Sequence, residues 1–143
     1  MYKISREFSF PMGHRLSKHK GRCQFIHGHN FKIIVGLMTK DLNENDMVMD
    51  FGDLKEIVQK YIDMYCDHVL AVNKNDQLVS EKISEMIPGS RIIQYENDPT
   101  AEVIAKTIFY HIDQEINSEK VIVDYVTVYE NDKSSATFTL TSK

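Results

Sequence analysis

Apolar and polar residues alternate from the start of the chain. Tyr2, Ile4, Phe8 and Phe10 share one parity, and Lys3, Ser5, Glu7 and Ser9 take the other. That period of two marks a half-buried strand. Pro11 and Gly13 disturb it, as at a bulge or a strand end, and residues 15–24 are polar and loop-like. A second strand is predicted over His27 to Met38. Phe31, Ile33, Val35 and Leu37 form one face, and Ile34 and Met38 make the other face apolar as well. A strand apolar on both sides calls for cover on both.

The period then changes to helical. Asp50 is placed to cap a helix running to about Tyr65, with Asp53 three residues on as in a capping box. Phe51, Leu54, Ile57, Val58, Tyr61 and Ile62 lie on one stripe. A second helix is expected from Asp98-Pro99-Thr100, with Asp98 as its cap and Pro99 at the first helical position. Its apolar stripe is Ala101, Ile104, Ala105, Ile108, Ile112 and Ile116. Residues 66–97 read as irregular, with a short strand at Arg91–Tyr95. The chain ends in a predicted hairpin: Val121–Glu130, a turn at Asn131-Asp132-Lys133, then alternating Ala136, Phe138 and Leu140. The order β-β-α-α-β-β predicts an α+β fold, an antiparallel sheet with two helices on one face. The sheet's second face then needs a partner, which points to an oligomer.

Composition fits this picture. At 143 residues the chain suits one domain spanning 1–143. With 42% hydrophobic and 27% charged residues it is an ordinary globular composition. No apolar run approaches the ~20 residues a membrane span requires, and the N-terminus lacks a secretory h-region, so a cytoplasmic protein without membrane association is expected. The net charge of -4 argues against nucleic acid as a partner. Two cysteines, Cys23 and Cys66, cannot build a disulfide framework.

The candidate chemistry lies in His27-Gly28-His29. On a strand, residues i and i+2 project to the same side, and a hairpin through residues 15–26 returns His14 beside them. Three imidazoles with one open position match catalytic zinc, Zn2+ being favoured over the copper, iron or nickel that imidazole also binds. His19 and His111 are read as ordinary surface histidines. Cys23 is open between two roles. It could complete a closed structural site as a fourth ligand, or stand outside the metal's ligand set as an activated thiol.

These residues resemble a family. Phe10-x-x-x-His14-Arg15-Leu16, Cys23-x-x-x-His27-Gly28-His29, Asp50-Phe51-x-x-Leu54-Lys55, Asp67-His68, Asp98-Pro99-Thr100-x-Glu102 and Glu130 follow in the order found in the pterin synthases of the 6-pyruvoyltetrahydropterin and 6-carboxytetrahydropterin synthase superfamily. Three residues between Cys23 and His27 resemble the bacterial carboxy branch. Cys66 before Asp67-His68, and Val69 to Asn73 after it, depart from the commonest family pattern.

The resemblance implies the tunnelling fold, whose sheets join into an oligomeric barrel, commonly a homohexamer built as a dimer of trimers. It implies a zinc-dependent lyase that takes 7,8-dihydroneopterin triphosphate to 6-carboxy-5,6,7,8-tetrahydropterin, acetaldehyde and triphosphate, toward queuosine and other deazapurines. By the same resemblance His14, His27 and His29 hold zinc, Cys23 moves a proton, and Asp67 with His68 forms a second relay. Glu130 anchors the pterin ring and Thr100 supports that pocket. The alternatives are a pyruvoyl-forming or related pterin side-chain lyase and, in another class, a non-catalytic zinc-stabilised binding module. Part of the basic run Arg15, Lys18, Lys20 and Arg22 is a candidate for steering the triphosphate.

Overall fold

The structure, a computed structural model, describes residues 1–140. Strands β1 (Tyr2–His14) and β2 (His27–Thr39) form a long antiparallel hairpin paired from Tyr2 with Thr39 to His14 with His27. Helix α1 (Phe51–Tyr65) follows, then β3 (Val69–Asn73), α2 (Gln77–Met86), β4 (Ile92–Tyr95) and α3 (Ala101–Ile116). The hairpin β5 (Ile122–Asn131) and β6 (Ser134–Phe138) completes a six-stranded sheet in the order β4-β3-β1-β2-β5-β6.

The fold is α+β, as expected, with two corrections. The sheet is mixed rather than antiparallel, because β3 runs parallel to both β1 and β4. There are three helices among the described residues rather than two. The stretch 66–97 accounts for both differences: it is ordered as β3, α2 and β4. A five-residue strand with buried Val69, Ala71 and Val72 is too short to show a period. Helix α2 buries only Ser80, so its sequence carries a weak apolar stripe.

The core lies between the sheet and helices α1 and α3. From the sheet come Phe8, Phe10, Met12, Phe31, Ile33, Val35 and Leu37, and from the helices Leu54, Val58, Ile62, Ile104, Ala105, Ile108 and Ile112. The strand parity read from the sequence therefore points to the core. It also carries the buried row of β1 on to His14, past Pro11 and Gly13, which lie inside the strand. The second face of the sheet is more polar than β2 alone suggests: Lys32 sits 4.3 Å above the Tyr129 ring and 3.8 Å from Glu7.

Asp50 caps α1, its Oδ1 accepting from the Gly52 N–H at 2.6 Å. Asp98 does not cap α3. Thr100 does, accepting from the Val103 N–H at 3.3 Å. The Asp98 carboxylate is turned inward, where it accepts from the Ser17 hydroxyl (2.6 Å), the Lys18 N–H (2.8 Å) and the Asn73 amide (3.0 Å). A buried carboxylate with three donors on a distant loop and strand serves the tertiary structure better than one spent on a helix end.

Candidate active site

The hairpin register brings the three histidines together. His14 pairs with His27, and His29 faces Met12, which shares the parity of His14. All three rings thus meet at one end of β1 and β2, those of His14 and His29 against Phe31. Ring centroids lie 4.5 Å apart for His14 and His27, 5.1 Å for His14 and His29, and 5.0 Å for His27 and His29. Gly28 lies between the two β2 histidines on the other side of the strand. A Cβ there would press to 3.2 Å on the Met12 carbonyl, so a side chain would strain the strand pairing that aligns the site.

Backbone carbonyls set the tautomers. The His14 Nδ1–H donates to Pro99 O and the His27 Nδ1–H to Phe25 O, each at 2.8 Å. The Nε2 lone pairs of both rings are left for another partner. The Nε2 atoms of His14 and His29 are buried with no hydrogen-bond partner, an expensive condition for two polar atoms. Burial, opposed by the Pro99 hydrogen bond and reinforced by the neighbouring imidazoles, holds the pKa of His14 below its ordinary value, so the ring is neutral near pH 7.

The ligand atoms of the three histidines lie within 4.8 Å of one another. A tetrahedral ion with bonds of about 2.0–2.1 Å needs donors about 3.3 Å apart, a spacing that this bound admits. A neutral His14, oriented lone pairs and orphaned buried nitrogens fit a metal ion.

Glu130 approaches this cluster, its Oε1 lying 3.9 Å from His14 Nε2. The residue sits at an irregularity in the β5–β6 pairing, between Tyr129 and Asn131. Such bulges re-aim a side chain at a strand end. Cys23 lies half-buried in a 3-10 turn, Arg22–Gln24, fastened by its carbonyl to the Leu16 N–H at 2.9 Å. The set able to hold a metal among the described residues is the three histidines, without Cys23.

Asp67 and His68 lie beyond the end of α1, and Asp67 Oδ1 is 2.8 Å from His68 Nδ1. Adjacent residues on a regular helix would not meet. Here His68 adopts a left-handed φ of 55°, which turns its ring back to the carboxylate. No hydrogen bond or ion pair among the described residues joins this pair to the histidine cluster. His68 and His29 instead both line a shallow groove of about 610 Å³, together with Gly13, Gly28 and Arg91.

The family described as 6-pyruvoyl tetrahydropterin synthase matches residues 3–140, nearly the whole sequence. The chain belongs to this family. A Rickettsia bellii relative named 6-carboxy-5,6,7,8-tetrahydropterin synthase is 33% identical over 135 residues, covering 91% of this chain and 94% of its own. The Haemophilus influenzae protein of the same name is 34% identical over 139 residues, covering 94% and 96%. An uncharacterized Wolinella succinogenes protein shares the fold at a TM-score of 0.82 and 24% identity, with 98% of each chain covered. The Caenorhabditis elegans 6-pyruvoyl tetrahydropterin synthase does so at 0.72 and 20%, covering 98% of this chain and 96% of its own. As a pterin synthase of this family the protein has the tunnelling fold.

Against that family background, three supporting groups escape a sequence reading. Two are the main-chain carbonyls of Pro99 and Phe25, which no side-chain pattern announces. The third is Asp98, whose pull on the loop at Ser17 and Lys18 its position before Pro99 disguises as a helix cap. The basic run is not uniformly free either, since Arg15 forms an ion pair with Asp76. His111 packs its ring 4.5 Å from that of Tyr61, away from the histidine cluster's residues. No helix among the described residues is long and apolar enough to cross a membrane.

Proposed function

We propose that the protein is a zinc-dependent 6-carboxy-5,6,7,8-tetrahydropterin synthase, converting 7,8-dihydroneopterin triphosphate and water to 6-carboxytetrahydropterin, acetaldehyde and triphosphate. The observation that carries this reading is the three-histidine cluster with a carboxylate, Glu130, at its open side. The names of the Rickettsia and Haemophilus relatives support the carboxy product.

In this reading His14, His27 and His29 hold the ion through nitrogens that the Pro99 and Phe25 carbonyls help to orient. Zinc bound there supplies Lewis acidity toward the substrate's side-chain hydroxyls. Glu130 accepts hydrogen bonds from the amino group and ring N–H of the pterin, which fixes the side chain over the histidines. Thr100, as the cap of α3, holds the segment whose Pro99 carbonyl orients His14. Cys23, outside the ligand set, moves a proton on one side of the substrate. Asp67 holds the His68 imidazole and stabilises its charged form, so that His68 exchanges a proton on the other side. A second copy of the chain brings His68 to the histidine cluster. This agrees with a homohexamer arranged as a dimer of trimers, in which the edge strands β4 and β6 pair across subunits. The setting is cytoplasmic.

Product analysis tests the assignment. Purified protein incubated with 7,8-dihydroneopterin triphosphate should release acetaldehyde and 6-carboxytetrahydropterin. A pyruvoyl product without acetaldehyde would place it in the sister branch, and no turnover by zinc-loaded protein would favour a binding module.

A further inference from the structure

Arg91, just before β4, belongs to no motif, yet its side chain closes the end of α1. The last carbonyls of a helix lack intrahelical donors. Here Ile62 O accepts from both Cys66 N and Asp67 N, each at 2.9 Å, which leaves the carbonyls that follow unfilled. Arg91 Nη2 donates to Asp63 O at 2.7 Å and Met64 O at 2.8 Å, and Nη1 donates to Asp67 O at 2.6 Å. The residue's own carbonyl accepts from the Leu70 N–H at 2.8 Å, so both ends of Arg91 grip the segment 63–70.

The peptide unit between Asp67 and His68 is the one that matters. Its carbonyl is held by the guanidinium, and its N–H donates to Pro11 O at 3.0 Å. With both edges tied, the peptide plane cannot rotate. The fixed plane keeps His68 at its left-handed φ of 55°, a conformation uncommon for a residue with a side chain. That φ in turn keeps the imidazole against Asp67. We infer that Arg91 is a positioning residue, whose guanidinium fixes the Asp67–His68 peptide and so aims the His68 ring for proton transfer. The role rests on the reading of Asp67 and His68 as a relay. A lysine would not replace it, because a single ammonium cannot span three carbonyls as a planar fork does.

The test is a double-mutant cycle on the zinc-loaded full chain with 7,8-dihydroneopterin triphosphate. Arg91→Met should lower kcat by about 10- to 100-fold, the range a misplaced catalytic group costs, with KM changed little. Arg91→Lys should recover only a small part of the loss. In a His68→Ala background, Arg91→Met should have no further effect, because the ring it aims is gone. An undiminished second loss in that background would show that Arg91 does not act through His68 and would overturn the inference. Full activity of Arg91→Met beside an inactive His68→Ala would overturn it as well, leaving the relay intact. Full activity of His68→Ala would remove the relay and this role for Arg91 together. If Arg91→Met does not fold, Arg91→Lys carries the same cycle.

Discussion

Replacing Asp98 with asparagine should weaken the fold and the metal site together. The carboxylate is only 7% exposed and accepts three hydrogen bonds. Oδ1 serves Ser17 and Asn73, and Oδ2 serves the Lys18 N–H. An amide can keep its oxygen on the first pair, but its NH2 then faces the Lys18 N–H, donor against donor. One hydrogen bond to a charged group is lost, at about 1.5–3 kcal/mol, and two others lose their charge assistance. The expected cost is about 2–3 kcal/mol. With an unfolding entropy of about 0.3 kcal/mol per degree for a chain of this size, Tm should fall by about 6–10 °C. Asp98→Ala, which strands the Asn73 amide, should cost about 3–5 kcal/mol.

The pH dependence adds a second check on Asp98. Burial pushes its pKa up, but the hydrogen bonds from Ser17, Lys18 and Asn73 outweigh it and hold the carboxyl below its ordinary value. A carboxyl depressed in the folded state contributes stability that is complete above the unfolded value of about 3.9 and is lost as pH falls through the folded one. The gap between native protein and Asp98→Asn should therefore be flat from about pH 7 to pH 5 and narrow below about pH 4. Urea melts at fixed protein concentration measure it, since assembly makes stability depend on concentration. A gap under about 1 kcal/mol at pH 7, or one that does not narrow in acid, would refute the account. Zinc affinity should also drop, because Asp98 precedes the Pro99 carbonyl that orients His14.

Other outcomes follow from the same geometry. Cys23→Ala should keep its zinc and its Tm while losing turnover by about 10²- to 10⁴-fold. Loss of metal and stability together would make Cys23 a ligand instead. His14→Ala should bind little zinc by elemental analysis, and chelation of the native protein should lower its Tm, since the ion stabilises the folded state alone. Cys66 is fully buried, and burial, partly offset by Arg91, pushes its thiol up to about 12. Iodoacetamide at pH 8 should therefore label Cys23 and spare Cys66 until the protein is denatured, as peptide mapping would show.

The sequence makes the long elements legible because their periods are long enough to count. Strand β2 runs through residues whose core parity is unbroken, and α1 ends at Tyr65 as its stripe predicts. The site's histidines are legible for the same reason, since parity plus one hairpin places them together. Between residues 66 and 97 only the short strand expected at Arg91–Tyr95 is legible, and it forms β4 (Ile92–Tyr95). Strand β3 is held by parallel neighbours far away in the chain, and α2 has almost nothing to bury. Asp98 shows the limit most clearly. Its position before Pro99 fits a helix cap, and only the return of Ser17, Lys18 and Asn73 in three dimensions gives the carboxylate better donors than the helix offers.

The same contrast explains how the two halves of the proposed site are built. The histidine half uses a hairpin, whose register brings the ligand atoms of three rings to within 4.8 Å of one another. The Asp67–His68 half lies where a helix ends and a strand begins, so no register can aim it. Its orientation comes from local ties: Pro11 on one edge of the peptide, Arg91 on the other, and a left-handed residue between. Pro11 belongs to the strand that ends in His14, so β1 is common to both halves. A disturbance of β1 near Pro11 should therefore reach the Asp67–His68 pair through one hydrogen bond and the histidines through the strand pairing. One near Arg91 should reach the Asp67–His68 pair alone.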